Sequence, residues 1–171
     1  IRAEFLTKLI DMTPGNFEKA ILLSVGTEAT ERAIKISRIY GDSVKKGKSI
    51  IVGGEGNYHG KTLGAQMVGG QHNDKDWIGY LDPNMKHIPF PFPWELDSFY
   101  GDGKDMFYSH LKLLEEQGVD LTRIAAFFVE SFQGWGAIFY PVEYIKAMRE
   151  WSIKNNTLLV FDEIQAGFGR T

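Results

Sequence analysis

Four apolar runs of strand length, separated by stretches with helical spacing, constrain this chain more than anything else in it. They lie at 20–25, 49–52, 124–130 and 157–162. Short buried runs alternating with amphipathic helices are the pattern of βαβ units, which predicts an α/β fold: a mostly parallel sheet inside a three-layer αβα sandwich. After the first run, Ala29, Ala33, Ile36 and Tyr40 mark one helical face. Phe107, Leu111 and Leu114 mark another, closed by Gly118, a residue suited to the left-handed position after a helix. A third helix is expected to open at Pro141 and carry Val142, Ile145, Met148 and Trp151 until Asn155 and Asn156 stop it.

One segment departs from the alternation. Residues 71–100 hold Trp77, Tyr80, His87, Trp94 and a run with proline at 89, 91 and 93. Proline at every second position forbids a central strand or a helix, so only the piece 86–89 is expected to pair. A long irregular loop is usually functional or packed against something, and a wrap buried by a neighbouring subunit is the expectation here.

Composition removes several function classes. The chain has 171 residues, enough for one domain with a core, and a net charge of −3 that gives no basic footprint for nucleic acid. No apolar run approaches the ~20 residues that span a bilayer, so no membrane partner is expected. The absence of cysteine excludes disulfides and thiolate metal sites and fits a cytoplasmic setting. The four histidines, at 59, 72, 87 and 110, lack metal-ligand spacing, and no metal is expected.

The chemistry gathers where the runs end. In a parallel sheet, ligands bind beyond the carboxyl ends of the strands. The first run leads through Gly26 and Thr27 into a helix, whose free amides and positive dipole end suit an anion, although the same residues suit an ordinary N-cap with Glu28 in its first turn. The second leads into a glycine-rich loop carrying Tyr58, His59 and Lys61, where an aromatic ring could stack on a planar ligand or face water. The third ends on Glu130 and continues through Gln133 to Trp135; the fourth ends on Asp162, followed by Gln165. With one helix between them, the last two runs should form a βαβ unit, with both acids on one edge of the sheet.

Taken in order, Gly26-Thr-Glu-Ala29, Tyr58-His-Gly60, the stretch from Glu130 to Gly136 and Val160-Phe-Asp-Glu-Ile-Gln-Ala-Gly-Phe-Gly-Arg-Thr171 resemble the large domain of the class III aminotransferases. These are enzymes of fold type I that use pyridoxal 5′-phosphate (PLP) and act on ω-amino groups. The resemblance runs through nearly the whole chain and implies a transaminase passing an amino group from an amine or ω-amino acid to a keto acid. It implies that Gly26 and Thr27 hold the phosphate and that Tyr58 and Ile164 cover the two ring faces. Asp162 would pair with the ring nitrogen and Gln165 with the phenolic oxygen, with His59 and Glu130 close by. Lys61 falls where many relatives carry an arginine for the substrate carboxylate. Trp135 replaces the acid found in glutamate-using relatives, which leaves the amino donor open.

The resemblance further implies that residues 1–171 form a partial large domain, with the Schiff-base lysine and the C-terminal domain beyond Thr171, and so no catalytic residue within the chain. A homodimer is expected on the same ground. A decarboxylase, aminomutase or racemase of the same fold, and a non-catalytic relative kept for assembly, stay open as alternatives.

Overall fold

A computed structural model describes residues 1–15, 17–96 and 101–171. Helix α1 (Arg2–Met12) is followed by α2 (Gly26–Val44), strand β1 (Ile50–Gly54) and the short α3 (Leu63–Val68). Then come β2 (Met85–Ile88), α4 (Gly103–Glu116), β3 (Ile124–Glu130), a two-residue hairpin pair β4 (Phe132–Gln133) and β5 (Ile138–Phe139), α5 (Val142–Lys154) and β6 (Leu158–Asp162). The main sheet has the order β2-β1-β3-β6 and every pairing in it is parallel. No helix among the described residues is long and apolar enough to cross a membrane.

Alternation along the strands divides the core between the two faces of the sheet. Ile51, Ala126 and Phe128 face α2 and α3, packing with Ile34 and Val68. Val52, Phe127 and Val129 face α4 and α5, packing with Met106, Phe107, Leu111, Leu114, Tyr144 and Met148. This is the expected αβα layering, and β3, buried along its whole length, is its centre. Helix α4 begins on Asp102, whose carboxylate accepts from the Asp105 amide at 2.8 Å, and ends before Gly118 at φ +80°.

Three expectations need correction. Residues 20–25 form no strand: Ile21, Leu22, Leu23 and Val25 are exposed. A run of apolar residues becomes a strand only where another backbone pairs with it, and none of the described strands does so here. The buried side of α2 is Thr30, Ile34, Ser37 and Gly41, with Ala33 packed at its margin as expected, whereas Ala29 and Ile36 are exposed and Tyr40 is only half-buried; small residues let the helix lie close on β3. In α5, Val142 is exposed and Tyr144 takes the inner position, while Met148, Trp151 and Ile145 pack as expected.

The proline-rich segment contributes more than a wrap. Met85–Ile88 pairs with β1 from Ile51↔Met85 to Gly54↔Ile88 and stops just before Pro89. Phe90 is buried with its ring 4.7 Å from Tyr140, and Phe92 stacks on Trp94. The end of this segment, 97–100, lies outside the described residues.

Two buried polar side chains brace the layers. Lys48, 2 % exposed, donates from Nζ to the Thr122 carbonyl (3.3 Å), the Asn155 carbonyl (3.2 Å) and Thr157 Oγ1 (3.2 Å). These contacts join the residues just before β1, β3 and β6 at the amino-terminal rim of the sheet. His110, on α4, shares a hydrogen bond with the Tyr144 hydroxyl of α5 at 2.9 Å, and burial pushes its pKa from 6.5 down to about 4. The unfolded chain therefore takes up this proton near pH 6.5 while the folded chain resists until about pH 4. The contribution is complete above pH 6.5 and is lost as the pH falls through that window, at up to about 1.4 kcal/mol per pH unit. Urea titrations at intervals between pH 7 and pH 4 should show this slope, and His110→Phe should flatten it by about one proton's worth. An unchanged slope in the variant would show that His110 is not its source.

Candidate cofactor site

The strand ends converge as their positions in the runs require. In the β3–β6 register Glu130 sits opposite Asp162, so the two acids that close these strands are neighbours at the carboxyl-terminal rim. The loop after β1 arrives from the other side, and the start of α2 comes up beside it. Together they enclose an open cleft of about 210 Å³ lined by Gly26, Thr27, Tyr58, His59, Gly60, Glu130, Asp162, Ile164 and Gln165. Every residue singled out above as close to a cofactor is therefore on one cleft. Lys61 and Trp135 are exposed and lie outside its lining, each next in sequence to a glycine at its border.

Asp162 is held in one orientation. Its Oδ2 accepts from Nδ1 of His59 at 2.8 Å, and its Oδ1 accepts from the Ile164 amide at 3.0 Å. A carboxylate only accepts, so the shared proton sits on Nδ1 of the imidazole. The His59 side chain is 0 % exposed and Asp162 only 12 %, and Phe128 meets the imidazole edge-on. The His59 carbonyl accepts from Thr30 on α2, which fixes the backbone behind the ring. His59 Nε2 is buried with no hydrogen-bond partner among the described protein atoms.

Glu130 is 6 % exposed, and its two oxygens accept from the Tyr58 amide (2.9 Å) and the Gly134 amide (3.1 Å). Burial raises its pKa above the usual carboxylate value against the pull of these two amides and of His59, with the Asp162 charge adding to the rise. At the α2 start, Val25 provides no side-chain cap, and Glu28 reaches back to the Ser24 amide instead. Thr27 Oγ1 lies 2.8 Å from Thr62 Oγ1, and Thr62 in turn donates to Glu31 at 2.6 Å. Glu31 also accepts from the Gly64 and Ala65 amides, so it pins α3 to α2 beside the cleft.

Glu31 and Thr62 escape the sequence reading, and the steric role of Gly60, read only as part of a motif, escapes it too. Glu31 carries a signal, since it sits four residues after Thr27 and so on the same helical face. Thr62 carries none and Gly60 only its place in the Tyr58-His-Gly60 motif, because their roles depend on a contact between segments far apart in sequence. Gly60 has φ +120°, and a Cβ there would lie 2.4 Å from Thr27 Oγ1. A Cβ on Gly26 would lie 3.0 Å from the Ile164 side chain. Added side-chain atoms would thus crowd the floor and wall of the cleft. The cleft combines an anion-ready helix start, an aromatic face at Tyr58, an aliphatic face at Ile164 and a fixed acid, and this set of donors and surfaces fits a flat, phosphorylated pyridine.

Such a cleft at the carboxyl end of a parallel sheet defines an α/β protein built for a phosphorylated aromatic cofactor. Comparison with known proteins makes the family definite: the chain belongs to the class-III aminotransferases, whose family model matches residues 2–171. The cofactor of that family is PLP. The chain is similar to acetylornithine aminotransferase of Vibrio cholerae, 35 % identical over 156 residues, covering 90 % of this chain and 34 % of the relative. It is also similar to omega-amino acid–pyruvate aminotransferase of Pseudomonas putida, 32 % identical over 173 residues, covering 96 % of this chain and 37 % of that protein. Among solved structures, a PLP-bound amine transaminase from an uncultivated Pseudomonas species superposes with a TM-score of 0.82 at 28 % identity, over 98 % of this chain and 39 % of that one. The chain spans about a third of the length of the curated relatives it matches.

Proposed function

We propose that this chain carries the PLP-binding part of a transaminase large domain, in a protein that moves an amino group from an amine or ω-amino acid to a keto acid. The observation that carries the reading is the convergence of the phosphate-ready start of α2, the Tyr58 loop and a doubly held Asp162 on one cleft. Gly26 and Thr27 hold the phosphate with backbone amides and a hydroxyl. Tyr58 and Ile164 close on the two faces of the ring, and Gln165 reaches its phenolic oxygen. Asp162 keeps a proton on the ring nitrogen, with His59 behind it fixing the direction of the carboxylate. When bound, the cofactor supplies an electron sink for charge left on the substrate carbon. Lys61 offers a point charge for a substrate carboxylate, without the two-pronged geometry of arginine. Trp135 supplies an apolar surface where an acid would otherwise select the donor. The lysine nucleophile is assigned to the protein beyond Thr171, and the whole protein is read as a cytoplasmic homodimer acting on small molecules.

The test is an absorption titration of the full-length protein with PLP, followed by borohydride reduction and peptide mapping, alongside turnover of an ω-amino acid. The expected result is a new visible band, a reduced adduct on a lysine beyond Thr171, and amine consumption that requires a keto acid. Amine consumption with release of carbon dioxide and no need for a keto acid would replace transamination with decarboxylation. Absence of both band and adduct would leave an assembly role.

A further inference from the structure

The hairpin after β3 and the loop after β1 are sewn together at three points. Glu130 accepts from the Tyr58 amide with one oxygen and from the Gly134 amide with the other. Gln133, fully buried, donates from Nε2 to the Glu55 carbonyl at 3.2 Å. Between them, Gly56 at φ +76° leaves no room for a side chain: a Cβ would lie 2.6 Å from Gln133 Nε2 and 3.1 Å from Trp135 Nε1. Hairpin and loop thus share a closely fitted seam, and the buried carboxylate is its only charged member among these contacts.

We propose that Glu130 is a positioning residue: its carboxylate ties the 55–58 loop to the 132–139 hairpin and so sets the Tyr58 ring over the cleft. The chemistry of the side chain supports this. An ionised carboxylate offers acceptors on both oxygens, and two amide donors arriving from different segments use one each. No other side chain of that length can accept at both ends. Because Trp135 rides on the same hairpin, the ring on the cofactor side and the indole on the substrate side are displaced together, so occupation of one is felt at the other. The consequence for ligand binding rests on the reading of the cleft as the PLP site, while the tie itself does not.

Residue-resolved amide exchange on the full-length protein, without and with PLP, tests both parts. In Glu130→Gln, the remaining oxygen still accepts from one amide while the new NH2 group faces the other. The Tyr58 or the Gly134 amide should therefore exchange about tenfold faster or more while its partner stays protected. In Glu130→Ala both should be released. Amides of Val52 and Phe127 in the central strands should keep their protection, which separates loss of the tie from general destabilisation. The PLP dissociation constant should rise about tenfold in Glu130→Gln, within the range seen when supporting contacts around a site are removed. Unchanged exchange at both Tyr58 and Gly134 in Glu130→Gln would overturn the tie, and unchanged PLP affinity would overturn its role at the cleft. If the unsubstituted protein does not bind PLP, the cofactor reading falls, and amide exchange alone still decides whether Glu130 joins the two segments.

Discussion

Asp162→Asn is expected to lower transamination by the full-length protein by about 10²–10³-fold, the scale set by removing one fixed electrostatic group from an active site. The change is nearly isosteric, so its effect is chemical. Both carboxylate oxygens of Asp162 accept, one from His59 and one from the Ile164 amide. Asparagine has a single acceptor oxygen, so its NH2 group either faces the Ile164 amide, donor against donor, or donates to Nδ1 of His59, which must then move its proton to Nε2. The variant also loses the charge that holds a proton on the ring nitrogen of the cofactor. PLP affinity should fall alongside turnover, while the thermal midpoint changes little, because among the described residues β6 pairs with β3 alone in the sheet. Glu163→Gln, one residue further on, is the control and should leave turnover near its starting level. Retention of more than half the activity by Asp162→Asn would sink the assignment of Asp162.

Gly41→Val should cost about 3 kcal/mol of folding stability, the upper part of the range for forcing atoms into a packed interior. Gly41 is buried near the end of α2, against Lys48 and Ala125. A Cβ there would lie 2.2 Å from the Lys48 carbonyl oxygen and 2.8 Å from the Ala125 methyl carbon. The first neighbour is backbone, held in place by the three hydrogen bonds of the Lys48 ammonium, so it cannot swing aside. Relief from removing a helical glycine is worth at most about 1 kcal/mol and does not offset the clash. For a chain of this size, the loss corresponds to a midpoint lower by about 6–12 °C in a thermal scan. Gly47→Val is the comparison: its φ of +80° brings strain, but nothing lies within 4 Å of the new Cβ. If the two substitutions cost the same, packing against Lys48 is not what constrains position 41.

The contrast between Gly41 and Asp162 shows which parts of this molecule can be read from residues alone. Asp162 and Glu130 are legible because a short apolar run ending on an acid places that acid at a sheet edge whatever the details of packing, and the register Glu130↔Asp162 follows. The face of α4 is legible because Phe107, Leu111 and Leu114 are large and buried, and hydrophobic spacing points straight at them. The face of α2 is legible only in part, because beside Ile34 it touches the sheet through Thr30, Ser37 and Gly41, which are small, while Ile36 and Ile39 stay outside. A hydrophobicity pattern rewards bulk and passes over close approach. Residues 20–25 mislead for another reason: β-propensity describes a run that could pair, and pairing depends on a second backbone. At the cleft, Gly26 and Thr27 are legible as a glycine and a hydroxyl opening a helix and Tyr58 as a ring on a glycine-rich loop, and motif likeness adds their roles and that of Gln165, whereas the Thr27–Thr62–Glu31 chain and the tie through Glu130 join segments too far apart in sequence to be legible there.

The Lys48 brace gives the molecule an uneven tolerance for change. It gathers the starts of β1, β3 and β6 at one rim, whereas the loops that form the cleft leave from the opposite rim. A lineage, or a mutant library, can therefore exchange exposed loop residues such as Lys61 and Trp135 and try new donors and acceptors while the clasp at the far end keeps the layers assembled. The chemistry of such a scaffold can drift faster than its architecture.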